Sequence, residues 1–429
     1  PPPAGDITNP LASAFPVACC GVSERMGNII IPYGSKILRS LLRRASILHR
    51  LQPMVVHLLR RECNMKYVDE YRDRSLVKGL LAAIEKRSRR IDREIKIMEI
   101  CGTHTHVIGR FGIKKLLPAQ IRLISGPGCP VCVTSIHDVD KALYLAEQKG
   151  SIFATFGDML RVPGTHRESL QKSRAAGADI RVVSSAADCI DIAGKNSGKE
   201  VIMMGIGFET TAPTVAAVVA LCREKGIKNF SVFSAHKIVP PALKALIADT
   251  SLNIDGFICP GHVSTIIGTK PYAIIPEAGR AAVITGFEPV DILEGILMIL
   301  GQIAEGKKEV AVQYARGMKT EGNPRAREIM YRVFRTGDAE WRGLGTIPAS
   351  GLSLRDEYTM YDALEKFDIP PIHSVEIKGC GCGDVLKGVI LPSQCSLFRK
   401  TCTPINPIGP CMVSSEGTCA AYYKYHLEP

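Results

Sequence analysis

Short apolar runs that break into loops of Gly, Cys, His or Pro restrict the fold of this 429-residue chain more than any other feature. Between Glu94 and Thr134 the chain reads E-I-K-I-M-E-I-C-G-T-H-T-H, then a spacer, then I-R-L-I-S-G-P-G-C-P-V-C-V-T. Ile95–Ile100 and Ile121–Ser125 have the length and composition of buried strands. Similar runs recur at Ser151–Phe156, Ile180–Ser184, Val201–Phe208, Phe230–Ser234, Phe257–Cys259 and Ala282–Phe287. Helical stretches lie between them, among them Val215–Lys225 and Ile292–Ala304, and Tyr67–Arg90 leads with Leu76, Leu80, Leu81 and Ile84 near one face. Strand–helix alternation predicts an α/β fold of parallel sheets with helices on both faces and right-handed crossovers. There is material for two sheets, over roughly 95–195 and 196–310. In such sheets chemistry collects outside the carboxyl ends of the strands. Cys101 falls at one such end, and Cys129 and Cys132 at another, so these thiols and His104 are expected to share a crevice.

A chain of this length is expected to hold two or three domains. Residues 1–64 stand apart: the segment begins Pro-Pro-Pro and holds eight Lys/Arg against three Asp/Glu, supplying +5 of the net +12. It reads as an atypical, possibly non-native extension, or as a basic targeting arm, with Met65 a natural start. Domain I is expected over 65–195, domain II over 196–310 and a third unit over 311–429. The basic residues are scattered, with no basic helix interleaved with aromatics, so nucleic acid is not an expected partner. Ile292–Ala304 is too short to span a bilayer and carries Glu294 and Gln302, so no membrane role is expected. Without a recognisable export signal, the fifteen cysteines point to metal or redox chemistry in a reducing, cytoplasmic setting.

Six of those cysteines, 380, 382, 395, 402, 411 and 419, fall within forty residues rich in Gly and Pro. Such a stretch has too few large apolar side chains for a core, and a bound metal would stabilise it. From Cys382 the spacing is C-x12-C-x6-C-x16-C. The paired C-x2-C knuckles of zinc sites are missing, so a [4Fe-4S] cluster is favoured over zinc or disulfides. The spacing does not choose between Cys380 and Cys382, and Cys411 is left over as a packing residue. The C-P-V-C at 129–132 reads as a dithiol pair or a soft-metal half-site. Ser135 is placed to cap a helix over Ile136–Glu147. Cys101 and His104, three residues apart, offer thiolate and imidazole to one metal. His106 is as readily a structural hydrogen-bonding group. In G-F-E-T-T-A-P-T, Glu209 is a candidate polar group of the crevice, while Thr210 or Thr211 and Pro213 suit a helix start. His236 and His262 follow strand ends as proton carriers or ordinary loop residues, and Cys189 and Cys222 read as core. Neither a phosphate loop nor a dinucleotide fingerprint is present.

The set M-E-I-C-G-T-H-T-H, G-P-G-C-P-V-C-V-T, G-F-E-T-T-A-P-T, C-P-G-H-V-S-T-I-I-G and C-G-D-V-L-K-G…C-M-V-S-S-E-G-T-C-A-A-Y-Y-K-Y resembles the HypD family of hydrogenase maturation proteins, from Met65 to about His426. The resemblance implies two Rossmann-like α/β domains around a central cleft plus a [4Fe-4S] domain. It implies a scaffold on which the iron of [NiFe] hydrogenase, as an Fe(CN)2CO intermediate, receives cyanide and carbon monoxide, in complex with a HypC-type chaperone and a HypE-type cyanide donor. Cys101 and His104 would hold that iron with a cysteine of HypC. Cys129 and Cys132 would form the redox pair, and Cys380, Cys382, Cys395, Cys402 and Cys419 would supply the cluster ligands. Two rivals remain: an iron–sulfur-linked protein disulfide reductase, and a zinc-braced binding module.

Overall fold

The computed structural model describes residues 73–425. The segment 1–64 and the first residues of the expected leading helix lie outside the described residues. Helix α1 (Arg74–Ser88) starts where Asp73 accepts from the amides of Ser75 and Leu76, both at 2.8 Å, which satisfies two donors that a helix start leaves open. Ile84 is buried and Leu80 and Leu81 half-buried, but Leu76 stays exposed, so the apolar stripe meets its partner only in the second half of the helix.

Strand β1 (Ile95–Glu99) runs into α2 (Gly102–Arg110), and β2 (Ile121–Ser125) into a short helix, Pro130–Val133, and then α3 (Ile136–Ala146). Ser135 caps α3, its hydroxyl accepting from the Asp138 amide at 3.0 Å. Next come β3 (Ser151–Thr155), β4 (Ile180–Val182), β5 (Glu200–Gly205), α4 (Ala212–Lys225), β6 (Phe230–Ser234) and α5 (Val239–Ala248). The chain continues through β7 (Gly256–Pro260), β8 (Ala281–Thr285), α6 (Pro289–Glu305) and β9 (Val310–Val312). Helix α7 (Pro324–Val333) precedes an antiparallel ribbon, β10 (Phe334–Trp341) and β11 (Gly345–Leu354), and α8 (Thr418–Tyr425) closes the described chain.

The strands before the ribbon form two parallel sheets, in the orders β2-β1-β7-β8-β9 and β4-β3-β5-β6. The α/β class with parallel sheets and a cysteine-rich region is as expected. The expected split at 195/196 does not describe the sheets. After β2 the chain leaves the first sheet, builds the whole second sheet, and returns at β7 to complete the first. The reason is physical: β1 and β7 are both interior strands, β7 buried at all five residues. An apolar run reports burial on two faces, not which sheet receives it.

Residues 311–429 are divided as well. β9 edges the first sheet, α7 packs on α4, and the ribbon braces the second sheet. Trp341 of the ribbon is buried, lies over Phe208 at 6.0 Å and donates from Nε1 to Ser350 Oγ at 2.8 Å. The cysteine-rich stretch seats itself on the first sheet, where a Cβ on Gly388 would lie 2.3 Å from Ile124 Cγ2 of β2. No helix among the described residues is long and apolar enough to cross a membrane.

Candidate functional site

Because β2, β1, β7 and β8 are parallel neighbours, their carboxyl ends lie side by side. They deliver, in that order, Cys129 and Cys132, Cys101 and His104, His262, and Gly286 with Phe287. The first two loops touch through backbone: the Gly102 amide donates to the Gly128 carbonyl at 3.1 Å. A Cβ on Gly128 would stand 2.1 Å from the Cys101 nitrogen, so only glycine permits this approach.

Cys101 is the N-cap of α2 and is partly open to solvent. Its thiol is pushed up to about 12, first by burial and then by the charges of Glu416 and Glu99, with the His104 and Thr103 amides opposing. Glu99, at the end of β1, is almost fully buried. It accepts from the Cys101 amide at 3.0 Å and from the Thr105 hydroxyl. Burial raises its carboxyl to about 7.

His104 lies in the first turn of α2 and is fully buried. Its Nε2 is 2.9 Å from the Gly286 carbonyl oxygen and 3.0 Å from Thr285 Oγ1. A carbonyl only accepts, so Nε2 carries the proton. Burial lowers the ring to about 4, which leaves Nδ1 a bare lone pair at neutral pH. That Nδ1 is buried and has no hydrogen-bond partner. The ring stacks on Phe287 at 4.8 Å, and the exposed His262 ring lies against the same Phe287 at 4.0 Å. His106 differs: Nδ1 lies 3.3 Å from the Ser415 carbonyl and Nε2 3.2 Å from the Tyr425 hydroxyl, so both nitrogens tie α2 to the tail.

Glu209 and His236 sit at the ends of β5 and β6 in the second sheet. Both are buried, and each keeps one orphan atom, Glu209 Oε2 and His236 Nε2. Glu209 Oε1 accepts from the Val239 amide at 3.0 Å, and burial raises the carboxyl to about 7. The phenol of buried Tyr272 is raised by burial first, then by Cys259, Glu209 and Cys101.

The Cys132 amide donates to Cys129 Sγ at 3.3 Å, and Cys132 Sγ points to the Pro410 carbonyl at 4.0 Å. Burial raises the Cys132 thiol, with Cys129 adding to it. All six tail cysteines line one small cavity with Leu397, Phe398, Gly409 and Met412. Cys411 follows Pro410, whose carbonyl Cys132 Sγ faces, and hydrogen bonding with Cys132 leads the influences that raise its thiol. On its other side Cys411 meets Cys382, Sγ to Sγ 2.7 Å. Cys411 therefore lies between Cys382 of the tail and Cys132 of the pair. Its spacing to the other cysteines carries no hint of this, because Cys132 is supplied by a distant loop. The neighbours that set Cys101 are carboxylates, whereas those that set Cys132 are thiols.

The sequence contained a signal for Glu99, an acid inside a run otherwise read as a buried strand. It contained none for Glu416, whose Cβ would lie 2.5 Å from a Cβ on Gly102 and whose Oε1 accepts from Thr103 Oγ1 at 2.7 Å. Among the described residues, no three His, Cys, Asp or Glu side chains already stand in the arrangement of a bound metal ion. The tail thiols share a cavity without converging on one point.

The same residues are matched by a family model described as "HypD: Hydrogenase formation hypA family", over 75–426. The chain belongs to the HypD family. It is 46% identical over 368 residues to a "Hydrogenase expression/formation protein HupD" of Azotobacter chroococcum mcd 1, covering 84% of this chain and 97% of that protein. It is 45% identical to a "Hydrogenase maturation factor HypD" of Azotobacter vinelandii, again over 84% and 97% of the two chains. A Rhodobacter capsulatus protein of the same name is 46% identical, over 84% and 98%. In this HypD-family chain four of the motifs that carried the resemblance follow strand ends of the two sheets, and the fifth lies in the cysteine-rich tail.

Proposed function

We propose that this chain acts in hydrogenase maturation as a scaffold and redox protein, on which an iron ion receives cyanide and carbon monoxide in complex with HypC-type and HypE-type partners. The observation that carries the reading is His104. A buried imidazole with Nε2–H fixed by a carbonyl and an unpartnered Nδ1 is how proteins orient a histidine for metal. Cys101, at the N-cap of the same helix, supplies the thiolate beside it. The iron is cargo, so the site stays partly open at Cys101, where a partner cysteine would complete the set.

The tail fits a [4Fe-4S] cluster by its donor chemistry: six thiols around one cavity otherwise lined by apolar groups and backbone. Pairing Cys382 with Cys411 leaves Cys380, Cys395, Cys402 and Cys419 as the four ligands. When bound, the cluster would supply electrons one at a time. The thiols then handle electron pairs. Cys411 as thiolate attacks the Cys132 sulfur of a Cys129–Cys132 disulfide, and the Cys129 thiolate leaves and takes a proton. Cys382 resolves the mixed disulfide, releasing Cys132. Two electrons have moved: the 382/411 pair is oxidised and the 129/132 pair reduced. The reduced pair gives them up when a thiocyanate-type donor releases cyanide.

The test is infrared spectroscopy of the anaerobically purified complex with the HypC-type partner. Cys101→Ala and His104→Ala should abolish the cyanide and carbonyl bands while leaving the absorbance near 400 nm (about the range of thiolate-bound iron) intact. Bands that persist in both variants place the cargo elsewhere. Cys129→Ala or Cys132→Ala should keep fold and absorbance but stop cyanide transfer, and normal transfer in either would end the dithiol scheme.

A further inference from the structure

Thr403–Ile408 forms a ridge between Cys402 and Gly409, which both line the cysteine cavity. Ile405 at its tip is 95% exposed. Pro404 and Pro407 stiffen the ridge. Arg161 straps it down, donating to the Pro404 carbonyl at 2.9 Å and the Val413 carbonyl at 3.3 Å, and Arg167 donates to Asn406 Oδ1. One exposed apolar side chain is ordinary on a protein surface; what sets Ile405 apart is its place on a fastened loop between two cavities.

Both flanks of the ridge are basic. One is an open cavity of about 660 Å³ bearing Arg161, His166, Arg167 and Lys172. The other, of about 720 Å³, bears Lys424, beside an Arg399 that is already engaged. Among the described residues, no Asp or Glu lines either one. Glu168 pairs with Lys172 at 3.2 Å at the rim, which still leaves the face positive. His166 and Arg167 are held at φ of 56° and 65°, a left-handed backbone that costs non-glycine residues energy and tends to persist where it is used. Met412 lines both the second flank and the cysteine cavity, so only one side chain separates them.

We propose that the Ile405 ridge and its basic flanks dock a small acidic electron-carrier protein that feeds the group held by the tail cysteines. The proposal rests on reading the tail as a cluster site. The positive face selects an acidic partner, and a small apolar tip within a charged surround suits the brief, weak encounters of redox proteins. Each encounter oxidises the carrier by one electron and reduces the tail-bound group by one.

The experiment uses the full chain, purified anaerobically, with a small acidic [2Fe-2S] ferredoxin as probe and binding followed by surface plasmon resonance. Raising salt from about 50 to about 200 mM should slow association by roughly tenfold. Arg167→Glu combined with Lys172→Glu, and separately Ile405→Asp, should each weaken binding by about tenfold, with absorbance near 400 nm (about the thiolate–iron range) unchanged. The fully exposed Ile405 position keeps the test free of folding failure. Variants that bind as well as the parent, association indifferent to salt, or a DNA duplex that competes as strongly as the carrier would each overturn the surface. Salt-dependent binding by a parent protein that shows no thiolate–iron absorbance would uphold the surface and sink the cluster reading instead.

Discussion

His104 has one ring nitrogen committed and one idle, and the two can be separated by mutation. His104→Leu removes the bond to Gly286, worth about 1 kcal/mol, together with the buried orphan Nδ1. Stability by urea titration should change by no more than about 1.5 kcal/mol, while iron content of the partner complex is lost. At Gly128 the effect is steric. Gly128→Ala puts a methyl 2.1 Å from backbone that has nowhere to go, and a loss of about 1–3 kcal/mol or more is expected. Glu209 reports on pH. Burial lifts its folded pKa from 4.5 to about 7, so between these values the native state holds a proton that the unfolded state has released. Its contribution is therefore fully present below about pH 4.5 and is lost as pH rises through 7, by about 3 kcal/mol in all. Glu209→Gln should gain on the parent across that window in denaturation curves taken from pH 5 to 8, and a constant difference would show that Glu209 is ionised in the fold.

Among the elements, the loop after β6 is pinned to the first turn of α3. Lys237, almost fully buried, reaches Asp138 Oδ2 at 3.0 Å. Lys237→Ala strands a shielded carboxylate and should cost about 3–5 kcal/mol. Asp138→Asn in the same chain should recover much of it, and chemical denaturation of the single and double variants checks both. Elements were the most readable level of the sequence. β2 and β6 begin and end where their apolar runs do, and β3 stops one residue short of its run, because burial on both faces leaves little choice of residue. The sheet that each strand joins was not readable, since β7 carries the same pattern whether it follows β6 or returns beside β1. At the site, motifs told which residues carry chemistry, and parallel topology told that they gather at strand ends. The approach of Cys132 to the Pro410–Cys411 turn and the cover that Glu416 forms depend on tertiary contacts 278 and 313 residues apart in sequence. No local spacing records them.

On the scale of the molecule, the tail and the α/β body share one apolar cluster, in which Val385, Leu386, Met412 and Tyr422 join Met98 and Ile124. The body has further cores of its own around β1, β7 and α6 and around β5 and α4, while the stretch 390–408 adds only Phe398, Cys402 and Ile408 to the shared cluster. With the proposed cluster in place, stripping it with an oxidant and chelator should open the segment around 390–408 to protease well before any strand is cut. Gel mapping of early fragments reads this directly, and first cuts within β1–β8 would contradict it. The tail also reaches back across the fold, with Glu416 over Gly102 and Tyr425 on His106. Those two loops are the first and last parts of the chemistry to be made. During synthesis Cys101 and His104 leave the ribosome some three hundred residues before their cover does, so the pocket cannot take its finished shape on a nascent chain. On the proposed function, loading is thereby deferred to completed molecules, and truncated products would be left without a place to trap iron.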